Sequence, residues 1–301
     1  MIQNDEYCTA VQVLALCRLA GVQPRLFEIL IHLFGSPERI LKADRSSLMS
    51  IDGMTAKTAK RITGTASLLK QADELHRQLK KRDIAVMTRF DNGFPQLLFE
   101  LNDPPPLFYI RGRMPDNNKK TVALAGAENA TNEGIEWTVK LAGAFAKAGV
   151  QVIASLSKGI DSAAHIGAKA AGGVSYCVLD SGFDQIHPSE HMPLAIDVAQ
   201  SGGVISEYPP EQTYTTESFK SSNRLLVGLA QAVIVTELYH DSTRTLDLLS
   251  FCRQIGKLTF IMVDAERGAL ADEGSFAEAV SCGAIPLAGL EKMGDIIKAL
   301  V

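Results

Sequence analysis

Two patterns of hydrophobic residues divide the sequence. Up to about residue 80, apolar side chains recur at helical spacing, as in Leu26, Ile29 and Leu33, which predicts a small all-helical domain. From residue 121 onward, short runs rich in Val, Ile and Ala alternate with helical stretches. Strands that are apolar throughout are typical of a parallel sheet covered on both faces, so we predict an α/β, doubly wound, Rossmann-like domain. The predicted strands are residues 121–126, 150–155, 174–180, 204–208, 232–236, 258–263 and 284–288, preceded by a short strand at 107–110.

These patterns predict three regions. Residues 1–82 form the helical domain, residues 83–120 connect it to the core, and residues 121–301 form the Rossmann-like domain. The connecting region carries two turn signals, Asp91-Asn92-Gly93-Phe94-Pro95 and Asn102-Asp103-Pro104-Pro105-Pro106, which fit a bridge better than a helix.

A glycine turn in the helical domain is typical of a helix-hairpin-helix (SAM-like) fold. Ile51-Asp52-Gly53-Met54 precedes a helical stretch that contains Lys57, Lys60 and Arg61. Such a turn can present backbone N–H groups to a phosphate beside these cations. The alternative is that the hairpin only packs helices or contacts a protein partner.

Charge and composition limit the partners. Residues 1–82 hold 13 basic and 8 acidic side chains, a net +5, whereas residues 83–301 hold 17 and 26, a net −9. The acidic large domain therefore needs a local site to bind nucleic acid.

No apolar run approaches the roughly 18 residues that span a bilayer, and the N-terminus is too polar for a signal peptide, so we expect a cytoplasmic protein without membrane contact.

The cysteines are scattered and odd in number, and none forms a CxxC pair. This spacing argues against a disulfide framework and a zinc site, and we interpret the residues as small buried hydrophobes. They are Cys8, Cys17, Cys177, Cys252 and Cys282.

Two loops follow the first two predicted strands, where ligands bind in doubly wound folds. In the loop from Gly126 to Gly134, glycine permits close backbone approach and Thr131 can cap the next helix. In the loop from Ala154 to His165, Lys158 and backbone N–H groups can face a phosphate. Neither loop is a GxGxxG fingerprint or a Walker A loop, so no nicotinamide, ATP or other cofactor is expected.

A third segment combines an aromatic ring with cations. It runs Phe219-Lys220-Ser221-Ser222-Asn223-Arg224, before the predicted strand at 232–236. A stacking ring beside cations suits single-stranded nucleic acid, at ~1 to 3 kcal/mol per stacked base.

Together these segments resemble the DNA-processing protein A (DprA, or Smf) family over residues 8–265. The family's GSR corresponds to Gly126-Ala127-Glu128, and its SGLAxGIDxxAH to residues 154–165. Its GxxxxYPxxN is similar to residues 182–191, its SEYPP is intact at residues 206–210, and its FPxRNRxxxGL resembles residues 219–229. We expect no winged-helix region after the Rossmann-like domain, where many members carry one.

The resemblance implies a non-enzymatic protein that binds single-stranded DNA, forms a homodimer and loads the recombinase RecA during natural transformation. It also exposes departures at DNA-contact positions: Glu128 replaces an arginine, Ser222 replaces the first arginine of FPxRNR, and Arg244 lies within the altered SGSLxT stretch. A lost cation removes a phosphate contact, and a carboxylate adds repulsion.

We therefore predict a DNA site lined by N–H groups, cations and a stacking ring. The predicted DNA-binding residues are Gly126, Ala127, Ser155, Lys158, Gly159, Phe219, Lys220, Asn223, Arg224 and Arg244. Thr131, Asp161 and His165 are predicted to order the loops.

Other classes of function remain open from the sequence. Asp180, Asp184 and Glu207 at strand ends could serve a nucleotide hydrolase of the lysine-decarboxylase-like type as general acid and base, although the PGGxGT loop of those enzymes is missing at Glu237–Thr245. A nucleotide-binding sensor that kept the fold is a further alternative. His187 and His191 lie four residues apart, but Pro188 lies between them and no HExxH frame surrounds them, so no metal is predicted.

Overall fold

A computed structural model describes residues 9–264, 268–289 and 293–300 of the chain. The chain divides into two compact units. Unit 1 comprises Met1–Phe94 and Asn102–Ile110, and unit 2 comprises Pro95–Leu101 and Arg111–Val301. The predicted connecting segment, residues 83–120, is thus shared between them. Cys8 lies outside the described residues.

Unit 1 is a helical bundle followed by two antiparallel strands. Its core consists of side chains such as Leu14, Phe27, Leu30 and Ile62, which are fully buried. Its helices are α1 (residues 9–20, π-helical over Ala15–Ala20), α2 (Pro24–Phe34), α3 (Pro37–Lys42), α4 (Arg45–Met49), α5 (Ala56–Thr63) and α6 (Thr65–Lys81). The strands are β1 (Ala85–Thr88) and the part of β2 (Leu107–Gly112) up to Ile110, paired from Ala85↔Ile110 to Thr88↔Leu107.

The predicted helix-hairpin-helix turn lies between α4 and α5. Gly53 has φ +80°, a backbone conformation that favours glycine. Thr55 then caps α5, because its side chain accepts a hydrogen bond from the N–H of Thr58 at 3.1 Å.

Unit 2 is built on a largely parallel sheet. Its strands are β3 (Thr121–Ala125), β4 (Gln151–Ser155), β5 (Ser175–Val178), β6 (Gly203–Ser206), β7 (Ala232–Val235), β8 (Leu258–Asp264), β9 (Gly268–Ala269) and β10 (Ile285–Ala288). Its helices are α7 (Asn132–Lys147), α8 (Ile160–Ala170), α9 (Met192–Ser201), α10 (Thr216–Gly228), α11 (Thr243–Ile255), α12 (Glu273–Ser281) and α13 (Met293–Ala299), with 3-10 turns at Gln96–Glu100 and Ser189–His191.

The parallel strands lie in the order β6-β5-β4-β3-β7-β8-β10, and β9 pairs antiparallel with β8. The chain steps outward from β3 to β6 and then returns to β7 on the other side of β3. This order confirms the predicted doubly wound sheet, and its switch point lies between β3 and β7. The predicted strands are all present, with ends displaced by one or two residues; β1 and β9 were not predicted.

The core of unit 2 lies on both faces of the sheet. Adjacent residues of β7 point to opposite faces: Ile234 packs with α7 and α8, whereas Val235 packs with α11 and α12. Both faces are covered, which explains the continuous apolar strands. Cys177 and Cys252 are buried here as predicted, whereas Cys17 and Cys282 are half-buried.

No helix in the described ranges is long and apolar enough to cross a membrane.

Candidate nucleic-acid interface

A cleft opens at the carboxyl ends of β3, β4 and β5, beside the N-terminal parts of α10 and α11. It has two adjoining sections, of about 190 Å³ and 350 Å³. Both sections are lined by Glu128, Tyr214, Phe219 and Arg244. The cleft therefore occupies the position at which doubly wound folds bind ligands.

The loop after β3 is fixed by its own backbone. A Cβ on Gly126 would lie 2.6 Å from Ile160 Cγ1 and 2.7 Å from the Glu237 carbonyl oxygen, so only glycine fits there. The N–H of Ala127 donates to the Glu237 carbonyl at 2.9 Å. Thr131 caps α7, because its Oγ1 accepts from the N–H of Gly134 at 3.0 Å. These contacts leave Glu128 exposed in the cleft.

The loop after β4 is held by a buried hydroxyl and a buried carboxyl group. Ser155 Oγ hydrogen-bonds to Asp161 Oδ2 and accepts from the N–H of Ser157 at 3.2 Å. Gly159 has φ +69° and ψ −120° as the N-cap of α8. Lys158 is presented to the cleft, where its Nζ lies 2.7 Å from Oε1 of the exposed Glu190. The Glu190 carboxylate raises the pKa of Lys158.

Aromatic rings form one wall of the cleft. Tyr214 is 45% exposed, and its ring stands edge-on to that of Phe219, with centroids 6.2 Å apart. The His187 ring lies 5.9 Å from the Tyr214 ring. An exposed ring whose neighbours fix its orientation is a suitable platform for a nucleic-acid base.

Arg244 links the aromatic wall to the floor of the cleft. Its guanidinium lies 4.9 Å from the Phe219 ring centroid, a cation-π distance. Nη1 donates to Ser157 Oγ at 2.9 Å and to Asp180 Oδ2 at 3.0 Å, and Nη2 approaches Ser222 Oγ at 3.5 Å. Arg244, from α11, thus lies beside the serine that replaces the family's arginine on α10.

The predicted site residues fall into two groups. Five line the cleft: Gly126, Lys158, Phe219, Lys220 and Arg244. The others lie beneath it or hold its loops: Ala127, Ser155, Gly159, Asn223, Arg224, Thr131, Asp161 and His165. Arg224 is buried against Glu207, with Nη2 and Oε1 2.5 Å apart, and Asn223 Nδ2 donates to the Arg244 carbonyl at 3.2 Å.

The cleft also contains residues that the sequence interpretation did not select. Tyr214 precedes Phe219 by five positions, so the available signal was a pair of aromatic residues around the start of α10. His187 was considered only as a metal ligand. Its neighbour His191 instead hydrogen-bonds through Nδ1 to the Leu156 carbonyl at 2.7 Å.

His165 and Asp161 are buried groups with opposite pKa shifts. Burial lowers the pKa of His165 to about 4; its Nδ1 lies 3.0 Å from Ser175 Oγ and its Nε2 2.8 Å from the Ser155 carbonyl. Burial raises the pKa of Asp161 to about 6, although the nearby Arg244 opposes the shift. Both residues are placed to order the loop after β4.

These shifts predict an unusual dependence of stability on pH. The contribution of Asp161 is present below pH 4 and is lost as the pH rises through 6, because its folded pKa is raised. The contribution of His165 is present above pH 6.5 and is lost as the pH falls through 4. The two contributions to the free energy of unfolding therefore change with pH in opposite directions. Asp161→Asn removes the contribution that falls as the pH rises. Its free energy of unfolding should therefore rise between pH 4 and 6.5 by roughly 3 kcal/mol more than that of the wild type.

The measurement is urea unfolding at several pH values, followed by the fluorescence of Trp137, the single tryptophan. Trp137 packs against the core of unit 2. Parallel pH profiles for the wild type and Asp161→Asn would contradict the raised pKa.

Unit 1 has a basic pocket of its own. Lys57, Lys60 and Arg61 surround a hollow of about 510 Å³ whose other lining residues include Leu19 and Leu68. The three cations lie on α5, after the glycine turn. This pocket fits the predicted placement of cations near the hairpin.

Two family models match the chain. The model described as DNA recombination-mediator protein A matches residues 85–273, and the SAM-like helix-hairpin-helix tandem matches residues 13–66. The second match confirms the predicted class of the helical region.

Relatives with similar sequences agree with these matches. Protein Smf of Synechocystis is 31% identical over 228 residues, which cover 74% of this chain and 57% of the relative. The DNA processing protein DprA of Bacillus subtilis is 29% identical over 214 residues, covering 67% of this chain and 71% of the relative. The chain spans less than two thirds of the length of the Synechocystis protein.

Two solved structures share the fold. DNA processing protein A of Streptococcus pneumoniae superposes with a TM-score of 0.77 at 20% identity, covering 95% of this chain and 98% of that chain. The Helicobacter pylori protein, described for its single-stranded DNA binding mode, gives a TM-score of 0.60 at 21% identity, with 72% and 97% covered. With the family model matching well over half of its residues, the chain belongs to the DNA recombination-mediator protein A family.

Proposed function

We propose that the cleft of unit 2 binds single-stranded DNA without acting on it chemically. The observation that carries the proposal is the aromatic pair Tyr214 and Phe219 beside Lys158, Lys220 and Arg244. Stacked bases and phosphate-facing cations are the two contacts that single strands use. The single-stranded DNA binding described for the Helicobacter pylori relative supports the same ligand class.

The arrangement of the carboxylates favours binding over hydrolysis. Asp180 is paired with Arg244, and Glu207 is paired with Arg224. A carboxylate that already accepts a hydrogen bond from a guanidinium is not available to contact a substrate as a general acid or base. These pairs weigh against the nucleotide-hydrolase alternative.

Binding through this cleft should depend only weakly on salt. Lys158 and Lys220 are the exposed lysines among the described lining residues. Each phosphate contact on a single strand contributes about −0.7 to the slope of log K against log salt. Two lysines therefore account for a slope of about −1.4, much shallower than that of a strongly basic protein.

The test is a fluorescence-anisotropy titration of labelled oligo-dT at several salt concentrations. Lys158→Ala combined with Lys220→Ala should weaken binding about tenfold at low salt and remove most of the slope. The matched control is Lys140→Ala with Lys147→Ala, which removes two exposed lysines of α7 that do not line the cleft.

If both double variants lose the same affinity for oligo-dT, the loss reflects the overall charge of the protein, and the cleft is not the binding site. Retained binding in the Lys158 and Lys220 variant would also refute the cleft as the binding site.

The family resemblance supports two further partners, which we include in the proposal. One is the recombinase RecA and the other is a second copy of this chain. Analytical ultracentrifugation of the chain, with and without RecA, tests both.

A further inference from the structure

Glu128 lines the cleft from a backbone whose position is restricted by its contact with Gly159. It lines both sections, and its own carbonyl group is packed against Gly159, where a Cβ would come within 2.6 Å of the oxygen. Among the residues that the structure describes, no hydrogen bond or ion pair occupies this carboxylate. An exposed acceptor on a fixed backbone is suited to reading a ligand.

The charges around Glu128 do not favour a phosphate at this point. The lining residues include Glu128, Asp180, Asp241 and Asp247, against the cations Lys158, Lys220 and Arg244. Lys158 and Arg244 are already paired with Glu190 and Asp180. A phosphate beside Glu128 would meet repulsion between like charges, so the carboxylate needs a ligand group that donates hydrogen bonds.

The aromatic rings can hold a nucleic-acid base next to the Glu128 carboxylate. Tyr214, Phe219 and His187 line the smaller section together with Glu128. Its volume of about 190 Å³ is below the roughly 300 to 1,000 Å³ of pockets for drug-sized ligands, which limits it to a single planar group. Proteins commonly bind an unstacked base between aromatic rings and read its Watson–Crick edge.

Only guanine matches a carboxylate on that edge. An ionised carboxylate is an acceptor with two oxygens, and guanine presents two adjacent donors, N1–H and the N2 amino group. Adenine, cytosine and thymine each place an acceptor next to their donor, which would face one carboxylate oxygen.

We propose that Glu128 makes this cleft selective for guanine, by accepting two hydrogen bonds from the Watson–Crick edge of a base stacked on the Tyr214 and Phe219 wall. The inference rests on the proposed function, since it assigns a base preference to the same site. The guanine can come from a DNA strand or from a free guanine nucleotide, and the experiment separates the two sources.

The probes are three labelled oligonucleotides of 20 nucleotides, compared by anisotropy titration. One is oligo-dT, one carries deoxyguanosine at every third position, and one carries deoxyinosine there, which keeps N1–H and lacks the N2 amino group. A bidentate base contact predicts about tenfold tighter binding of the guanine strand than of oligo-dT. The inosine strand should fall between them.

Glu128→Gln should abolish the preference for guanine over thymine, because glutamine keeps the size of the side chain and loses one acceptor. The control is Glu217→Gln, which removes the same charge from an exposed residue of α10 that does not line the cleft. It should keep the full preference.

Equal affinity of the wild type for the guanine and oligo-dT strands overturns the inference and leaves the proposed function standing. A preference that persists in Glu128→Gln also overturns it. If neither strand binds, calorimetric titration with dGMP decides: binding lost in Glu128→Gln supports guanine recognition with a free nucleotide as the source, and no binding refutes both proposals.

Discussion

Replacing Arg244 with methionine should lower the free energy of unfolding of unit 2 by about 3 to 5 kcal/mol, the cost of breaking a buried ion pair on one side. The Arg244 and Asp180 side chains are each only 10% exposed. Removal of the guanidinium strands the Asp180 carboxylate and also withdraws the attraction that opposes the raised pKa of Asp161. Phe219 loses its cation-π partner in the same step.

Urea unfolding followed by Trp137 fluorescence measures this loss. Arg253→Met is the matched control, because Arg253 is an exposed residue of the same helix, α11, and surface substitutions usually change stability by less than about 0.5 kcal/mol. Asp180→Asn should recover much of the loss when combined with Arg244→Met, since it removes the unpaired charge. Equal stabilities of the Arg244 and Arg253 variants would show that the pair is not a structural element.

The second large effect is expected at Gly159. Its φ of +69° and ψ of −120° lie in a region that side chains strongly disfavour. A Cβ would also stand 2.4 Å from the Ala127 carbonyl oxygen and 2.6 Å from that of Glu128. Gly159→Ala should therefore cost about 3 kcal/mol or more, the sum of backbone strain and a clash with main-chain atoms.

The variant Gly149→Ala measures the cost of the backbone conformation alone, without a steric clash. Gly149 has φ +77°, and no atom lies within 4 Å of its added Cβ, so only the conformational cost of about 1 to 2 kcal/mol applies. Both variants are compared by urea unfolding at one pH, and Gly159→Ala should also shift the loop that carries Glu128 and weaken strand binding. If Gly159→Ala costs no more stability than Gly149→Ala, the loops after β3 and β4 can move apart to make room for the added Cβ, and the predicted clash is wrong.

The strand pattern illustrates what local sequence determines. Residues 121–126, 150–155 and 232–236 are rich in Val, Ile and Ala, and each range contains a strand of the parallel sheet, because both faces of that sheet are covered. By contrast, β1 (Ala85–Thr88) is a short strand whose partner, β2, comes nearly twenty residues later. Its four residues carry no distinct pattern, so its pairing was not predictable from local sequence.

Arg224 and Arg244 illustrate the part that required the tertiary structure. In sequence, Arg224 follows a stacking ring and Arg244 lies in the stretch that corresponds to the family's SGSLxT, and both are predicted to bind DNA. The fold buries Arg224 against Glu207, which follows β6, whereas Arg244 lines the cleft between Asp180 and Phe219. The partners lie 17, 64 and 25 positions away along the chain, and no sequence spacing reveals such pairs.

The sequence by itself determined the fold class, the order of the elements and the loops that meet at the carboxyl edge of the sheet, because periodicity and glycine turns act over a few residues. The tertiary structure decided which side chains of those loops remain exposed. Burial and charge pairing depend on distant segments: Ser155, Asp161 and His165 hold the loop after β4, while Tyr214, Phe219 and Glu128 are left to face a ligand.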